Sequence, residues 1–257
     1  MDREKLQSLF DMTGRVVVVT GGTRGIGRAL AEGYVSAGAR VVVASRKAEA
    51  CREAETHLRA LGGQAIGVPT HTGRLDDLAE LVRRTVEEFG ALDVLVNNAA
   101  TALAQPVGAY TADAWEKSLE VNLRGPVFLT QEALPHLKCS PHAAVLNVLS
   151  GGAFMYSAGV SMYAAGKAAL LAHTRSAAAE YAQYGIRVNA LAPGTVDTDM
   201  VRANSEDRVA AMAEIMLLKR MAHPDEMFGP ALLLTSDAGS FITGAVLVAD
   251  GGMVVAR

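Results

Sequence analysis

The sequence has little cysteine. Its 257 residues include two, Cys51 and Cys139, far apart in the chain. That excludes a disulfide framework and a cysteine-built metal site, and it points to a reducing cytoplasm. It also lacks a charge excess. The formal net charge is −3, so there is no basic footprint for nucleic acid. No apolar run approaches the roughly 18 residues of a membrane span. The N-terminus, MDREKLQSLFDM, is charged and has no apolar h-region, so no secretory signal is expected. The six histidines show no ligand spacing such as HExxH, and no metal site is expected. There is no low-complexity linker and no internal repeat. Half of the residues are hydrophobic and 20% are charged, an ordinary globular balance for one sizeable core.

What is present is alternation. Short β-branched runs recur: RVVVVT (15–20), RVVVAS (40–45), LDVLVNN (92–98), AAVLNVLS (143–150), IRVNALAP (186–193) and AVLVAD (245–250). Near-continuous apolar runs suit strands buried on both faces, as in parallel sheets. Between them lie helical segments at 25–37, 47–61 and 75–89, the last with leucines, valines and a phenylalanine at 75, 78, 81, 82, 86 and 89. Strand and helix in alternation imply a single-domain, Rossmann-like α/β fold. Its core is a doubly wound parallel sheet of about seven strands with helices on both faces. The segment 195–228 is the longest without strand signals, and we expect a mobile lid over the substrate there.

The first chemical signal is VVVVTGGTRGIGRAL. A strand ends at Thr20, glycines follow at 21, 25 and 27, and a helix begins. Such a turn lets backbone N–H groups approach a diphosphate, with the helix N-terminus favouring negative charge. The spacing is GxxxGxG rather than GxGxxG. The next strand ends at Ser45-Arg46, where an NAD site would place a carboxylate on the ribose. No acid occurs until Glu49. Arg24 and Arg46 offer guanidinium groups that suit a 2′-phosphate, so NADP(H) is favoured over NAD(H).

The second signal is SMYAAGKAALLAHTRSAAAEY, a helix rich in small residues. Tyr163 and Lys167 stand four apart on one face. An ammonium beside a phenol favours the phenolate and makes tyrosine a usable general acid or base. Ser150 ends a strand, where open α/β sheets place their ligands, and its hydroxyl could donate to a carbonyl oxygen gaining negative charge.

Taken together these motifs resemble the short-chain dehydrogenase/reductase family, and the likeness runs from about Asp11 to Gly252. Thr20-Gly21-x-x-x-Gly25-x-Gly27 resembles its cofactor loop. Asn97-Asn98-Ala99-Ala100 resembles its NNAG motif, with alanine in the last place. Asn122 in EVNLRGP stands where the family has a catalytic asparagine. Ser150, Tyr163 and Lys167 match the rest of the catalytic set, and Pro193-Gly194-Thr195-Val196-Asp197-Thr198 matches the PG motif beside the nicotinamide.

The resemblance implies hydride transfer between a nicotinamide and a carbonyl or secondary alcohol. Tyr163 would be the acid or base, Lys167 would hold the ribose and lower the tyrosine pKa, and Ser150 would orient the carbonyl. Asn122 would hold a water in a relay through Lys167. Cofactor contacts would come from Gly21, Thr23, Arg24, Gly25, Ile26 and Gly27 in the loop, and from Ser45 and Arg46 after the second strand. Further on they would come from His71 and Thr72, from Asn98, Ala99 and Ala100, and from Pro193, Gly194, Val196 and Thr198. His71 stands where the family usually has an acid against the adenine. Phe154, Met155, Tyr156 and Met200, with Val196 and Val201, would line an apolar substrate side. The small residues of the Tyr163 helix would pack against a second copy in a homotetramer.

The resemblance also suggests 3-oxoacyl-[acyl-carrier-protein] reductases as relatives by motif. Their basic docking residue before the matching glutamate is here Ala179, which favours a free small-molecule substrate over a carrier-bound thioester. A non-catalytic cofactor sensor would be expected to lose the Tyr or the Lys, and both are present.

Overall fold

Runs of valine make the centre of the molecule. A β-branched side chain is restricted at χ1 and packs well on a pleated surface. In β1 (Val16–Thr20) every residue is buried, as expected of a strand covered on both faces. The computed structural model describes residues 1–255. In chain order the elements are α1 (Arg3–Ser8), β1, α2 (Gly25–Ser36), β2 (Arg40–Ser45), α3 (Ala48–Ala60), β3 (Gln64–Pro69), α4 (Leu75–Phe89) and β4 (Val94–Asn97). They continue with α5 (Ala112–Leu119), α6 (Gly125–Leu137), β5 (Ala144–Val148), α7 (Ser161–Tyr181), β6 (Arg187–Pro193), α8 (Asp199–Arg202), α9 (Glu206–Ile215), α10 (Phe228–Thr235) and β7 (Val246–Ala249).

The seven strands form one sheet in the order β3-β2-β1-β4-β5-β6-β7, and each neighbouring pair is parallel. Side chains alternate across it. Val17 and Val19 pack with Leu30 and Tyr34 of α2 and with Leu234 of α10 on one face. Val18 packs with Leu78 and Leu81 of α4 and Leu129 of α6 on the other. The doubly wound arrangement read from the alternation is therefore the one adopted. The strand order reverses direction between β1 and β4, and the crevice beyond their carboxyl ends is where open α/β sheets bind ligands.

Strand β3 is absent from the β-branched runs of the sequence, because Gln64, Gly67 and Pro69 interrupt it. Proline is tolerated there because β3 lies at the sheet edge. Gly67 is required because a Cβ would meet the backbone of Cys51 on α3. The segment 195–228 is more ordered than its lack of strand signals suggests. It holds α8 and α9 and a parallel bridge between Val196 and Ala222. Both cysteines are free.

Candidate active site

The carboxyl ends of β1, β4, β5 and β6 converge. At the end of β1 the chain turns through Gly21, with φ +67°, and enters α2 at Gly25, with φ +53°. Both values lie in the left-handed region that glycine adopts without steric cost. Gly27 answers a different need: a Cβ there would collide with the Gly21 carbonyl and the Asn98 side chain. The loop is thus packed down onto the β4 end, and its backbone N–H groups at the start of α2 are left without helical partners.

Thr20 organises this junction. Its hydroxyl donates to the Val96 carbonyl at 3.2 Å and accepts from the N–H groups of Asn98 at 3.0 Å and Ala99 at 3.1 Å. The Asn98 amide donates to the Thr20 carbonyl at 2.8 Å. The sequence marks Thr20 as the first residue of the glycine-loop motif, but not as the side chain that ties β1 to the end of β4. The chain beyond β4 is held by Asn122. The Asn122 side chain accepts from the Thr101 N–H at 3.0 Å and donates to the Thr101 carbonyl at 2.8 Å. Asn122 sits in a π-helical turn, Glu120–Arg124, of the kind often found at functional sites. Both ends of its amide are thus engaged, and Pro126, four residues on, has no N–H to offer the Asn122 main-chain carbonyl at α-helical spacing.

Ser150 lies two residues beyond β5. It caps a short 3₁₀ turn, Gly151–Ala153, its hydroxyl accepting from the Gly152 N–H at 3.1 Å. Tyr163 and Lys167 project from the first turns of α7. The Lys167 ammonium is 5.7 Å from the centroid of the Tyr163 ring and donates to the Val148 carbonyl at 2.6 Å. Lys167 is fully buried. Burial pushes its pKa down to about 8, because the charged form is poorly solvated there. Tyr163 departs from the sequence expectation. Desolvation raises its pKa, and the neighbouring Ser150 hydroxyl, pulling it down, does not compensate. An ammonium that faces a low-dielectric interior and already serves a carbonyl does not by itself bring the phenol into range.

The helix carrying this pair approaches the π turn closely. Gly166 lies 3.2 Å, measured from where a Cβ would stand, from the Asn122 Cβ. At least one small residue of α7 is therefore explained within the chain. Ala165, Ala168 and Ala172 are exposed and form a separate stripe. The β4–α5 loop closes over the start of α7 through a hydrogen bond between the Tyr110 and Ser161 hydroxyls and through the Gln105 N–H, which donates to the Gly159 carbonyl at 2.9 Å.

The remaining sequence-derived residues divide. Gly21, Gly25, Gly27, Thr23, Asn98, Ala99, Ala100, Pro193 and Gly194 line the edge where the strands end. Thr198 reaches the glycine loop, its Cγ2 3.1 Å from where a Gly25 Cβ would lie. Ser45 ends β2, and Arg46 beyond it is exposed, with no ion pair among the described residues. Arg24 is exposed and is approached by Asp199 at 4.0 Å. Thr72 is buried. His71 is half-buried, and its Nδ1 accepts from the Gly73 N–H at 3.1 Å. Neutral His71 therefore carries its proton on Nε2. Asp77 accepts the His71 main-chain N–H at 2.7 Å.

One expectation needs correction. Val196 turns its side chain into the core cluster with Val17 and Leu30, against which the half-buried Ile26 also packs. Val196 is 3% exposed, so its side chain lines no substrate pocket. Phe154, Tyr156 and Met200 are exposed at the rim and Met155 is half-buried.

No helix among the described residues is long and apolar enough to cross a membrane, and no cluster of His, Cys, Asp or Glu among them could hold a metal ion.

Comparison with known proteins agrees with this geometry. The family model described as short chain dehydrogenase matches residues 15–209. A cis-4-hydroxycyclohexanecarboxylate dehydrogenase of Sinomonas cyclohexanicum is 40% identical over 239 residues, covering 93% of this chain and 96% of the relative. A rhamnolipid-biosynthesis 3-oxoacyl-[acyl-carrier-protein] reductase of Pseudomonas aeruginosa is 36% identical over 251 residues, covering 95% and 97%. A crystal structure from Beutenbergia cavernae, with NADP bound at low occupancy, superposes with a TM-score of 0.91 at 34% identity, covering 96% of this chain and 99% of that one. Motif, fold and sequence agree over nearly the whole length, and the chain belongs to the short-chain dehydrogenase/reductase family of oxidoreductases.

Proposed function

We propose that the protein is an NADP(H)-preferring carbonyl reductase or secondary-alcohol dehydrogenase in which Tyr163 is the general acid and base. The observation that carries this is Lys167. A fully buried ammonium with one carbonyl and no carboxylate is costly to the fold, and it stands beside a phenol that faces a serine hydroxyl at the end of a strand.

The glycine turn fits a dinucleotide. A Cβ at Gly21 would come within 3.0 Å of Asn98 and 3.1 Å of Ala99, so the turn packs down on the β4 end, and the start of α2 supplies N–H donors to a diphosphate. Once bound, the nicotinamide supplies the hydride acceptor or donor. The chain's own residues do the rest. Ser150 donates to the substrate oxygen and fixes its position. Tyr163 passes its phenolic proton to that oxygen in reduction, or accepts one in oxidation. Lys167 would hold the ribose hydroxyls of the bound cofactor and stabilises the phenolate when it forms. With the Asn122 side chain engaged by Thr101, its main-chain carbonyl holds the water through which Lys167 exchanges protons with solvent.

Arg24 and Arg46 support NADP(H) over NAD(H). Both are exposed, and Arg24 meets only a distant carboxylate, an exposed pairing worth little. Arg46→Asp should shift the kcat/KM ratio by at least about tenfold towards NAD(H), the scale of one lost charge-assisted contact. An unchanged ratio would remove this assignment. The apolar rim of Phe154, Met155, Tyr156 and Met200 supports a small, apolar substrate. The 195–228 segment acts as its lid. The exposed alanine stripe of α7 supports a homotetramer, and the two free cysteines support a cytoplasmic location.

The test follows nicotinamide absorbance with NADPH and NADH separately, against ketones, secondary alcohols and 3-oxoacyl thioesters. Turnover of free ketones with NADPH is expected. Preference for thioesters would move the assignment to an acyl reductase. Tight cofactor binding without turnover of anything would favour a cofactor-sensing regulator.

A further inference from the structure

Beyond β7 the chain does something that no part of the catalytic set requires. Asp250 is buried, and its two carboxylate oxygens accept the Gly252 N–H at 2.8 Å and the Val254 N–H at 2.7 Å. Gly251 and Gly252 both have positive φ, +62° and +86°, so the chain reverses within two residues. A carboxylate at the centre of a turn and two left-handed glycines fold Asp250 to Val254 back over the carboxyl edge of the sheet.

The turn is seated between two parts of the proposed active site. On one side it rests on the PG motif: a Cβ at Gly194 would stand 2.7 Å from the Asp250 Cα. The methyl of the Met253 thioether fills the space that a Cβ on Gly151 would take, with the Val254 Cγ2 3.6 Å and the Pro193 carbonyl 3.7 Å from the same point. Gly151 directly follows Ser150. On the other side the turn abuts the lid segment. The Leu218 N–H donates to the Gly251 carbonyl at 3.1 Å, and a Cβ at Gly252 would lie 2.7 Å from Leu217.

We infer that this C-terminal turn is a wall of the substrate pocket and that Met253 is the residue in it that decides which substrates fit. The inference rests on the dehydrogenase or reductase reading above. Its physical basis is position and chemistry. Met253 stands one residue from the serine that orients the substrate oxygen, so the group it meets is a substituent on the reacting carbon. A thioether on three rotatable bonds adapts to irregular shape without offering a charge. The one ionised group of the turn, Asp250, has both oxygens committed to backbone N–H groups. The wall therefore selects an apolar substituent by size and gives no counter-charge to a carboxylate or phosphate. Asp250 is a positioning residue. Glycine at 151 leaves the room that Met253 occupies.

The test compares Met253→Ala, Met253→Phe and Met253→Leu in the full chain, with NADPH and a series of ketones running from small linear to branched and cyclic. Met253→Ala should raise the kcat/KM ratio of bulky to small ketones by about tenfold or more, the scale of a few methylenes in an apolar pocket. Met253→Phe should move the ratio the other way. Met253→Leu, of similar volume, should leave it within about twofold, and NADPH affinity should be unchanged in all three. Wild-type turnover with the same ranking in the Ala and Phe variants overturns the inference and leaves the functional reading standing. A wild-type protein that turns over none of the series overturns the reading, and the inference with it.

Discussion

The two ends of the sheet both bury polar groups, and they treat them in opposite ways. At the amino end of the strands, the charges have several partners. Arg15, just before β1, meets Asp237 at 2.8 Å, and His142 approaches the same carboxylate at 3.3 Å. Asp93 accepts the Val16 N–H at 2.7 Å and the Ser140 hydroxyl at 2.5 Å. Arg187 donates to the carbonyls of Leu234 at 2.7 Å and Ser236 at 3.0 Å. At the carboxyl end the most deeply buried charge among the described residues is Lys167, 1% exposed, and it has one carbonyl, while Asp250, 8% exposed, accepts two backbone N–H groups. Burial alone would raise the Asp237 pKa, yet the Arg15 hydrogen bond overrides it and holds the carboxyl below its usual range. No such partner rescues Lys167. A buried charge met by several partners is architecture, and a buried ammonium with a single carbonyl marks the place where the proposed chemistry costs stability.

Three substitutions sharpen or break that contrast. The largest effect is expected of Tyr163→Phe. It should lower kcat by about 10³-fold, within the range of general acid–base catalysis, while cofactor binding measured by fluorescence titration and the melting temperature stay near wild type. Retained turnover would end the role of Tyr163 as acid and base.

Next is the pH dependence of stability. The Lys167 pKa falls from 10.5 unfolded to about 8 folded. Between these values the unfolded chain binds more protons, so stability should rise as the pH increases from 8 to 10, by up to about 3 kcal/mol. Above that, the raised pKa values of Tyr163 and Tyr34 act in the opposite sense, because the unfolded chain ionises first. Lys167→Met should flatten the rise and should be more stable than wild type at pH 7 by urea denaturation, though inactive. A slope unaltered by the substitution would show that Lys167 is not its source.

The smallest effect belongs to the amino end. Asp237→Ala leaves Arg15 buried and unpaired. It should cost about 2 kcal/mol, below the usual figure for a fully buried pair because Asp237 is half-exposed. The loss should appear in denaturation while kcat per folded molecule is kept. The wild-type pair should weaken as pH falls through the Asp237 carboxyl's depressed pKa, where protonation favours the unfolded chain. A matching fall in kcat would break the division between the two ends.

Much of the proposed cofactor side rests on features legible in the sequence, because they follow local rules. Gly21 and Gly25 are needed for their backbone angles and Gly27 for close packing, and all three lie within seven residues. Tyr163 and Lys167 are four apart on one helix. The substrate side was less legible. Phe154 and Met200 were expected there, but Met253 was not, because nothing near it in sequence says that Asp250 will fold the chain back against Gly151. Val196 was misassigned for the same reason: its place in the PGTVDT run does not say which way it faces, and the bridge to Ala222 accompanies its inward turn. Strand β3 escaped the β-branched pattern, since an edge strand tolerates Gly67 and Pro69.

The sequence by itself determined the parallel α/β sheet, the glycine turn and the spacing of the catalytic residues, because periodicity, turn chemistry and helical register act over a few residues. Only the tertiary structure decided how those residues are solvated and what surrounds the substrate. Burial turned Lys167 into a strained charge and raised Tyr163 against the sequence expectation. Packing between segments a hundred residues apart brought Met253 against Gly151, next to Ser150 in the chain. Desolvation and long-range contact depend on where the rest of the chain comes to lie, and no local pattern encodes that.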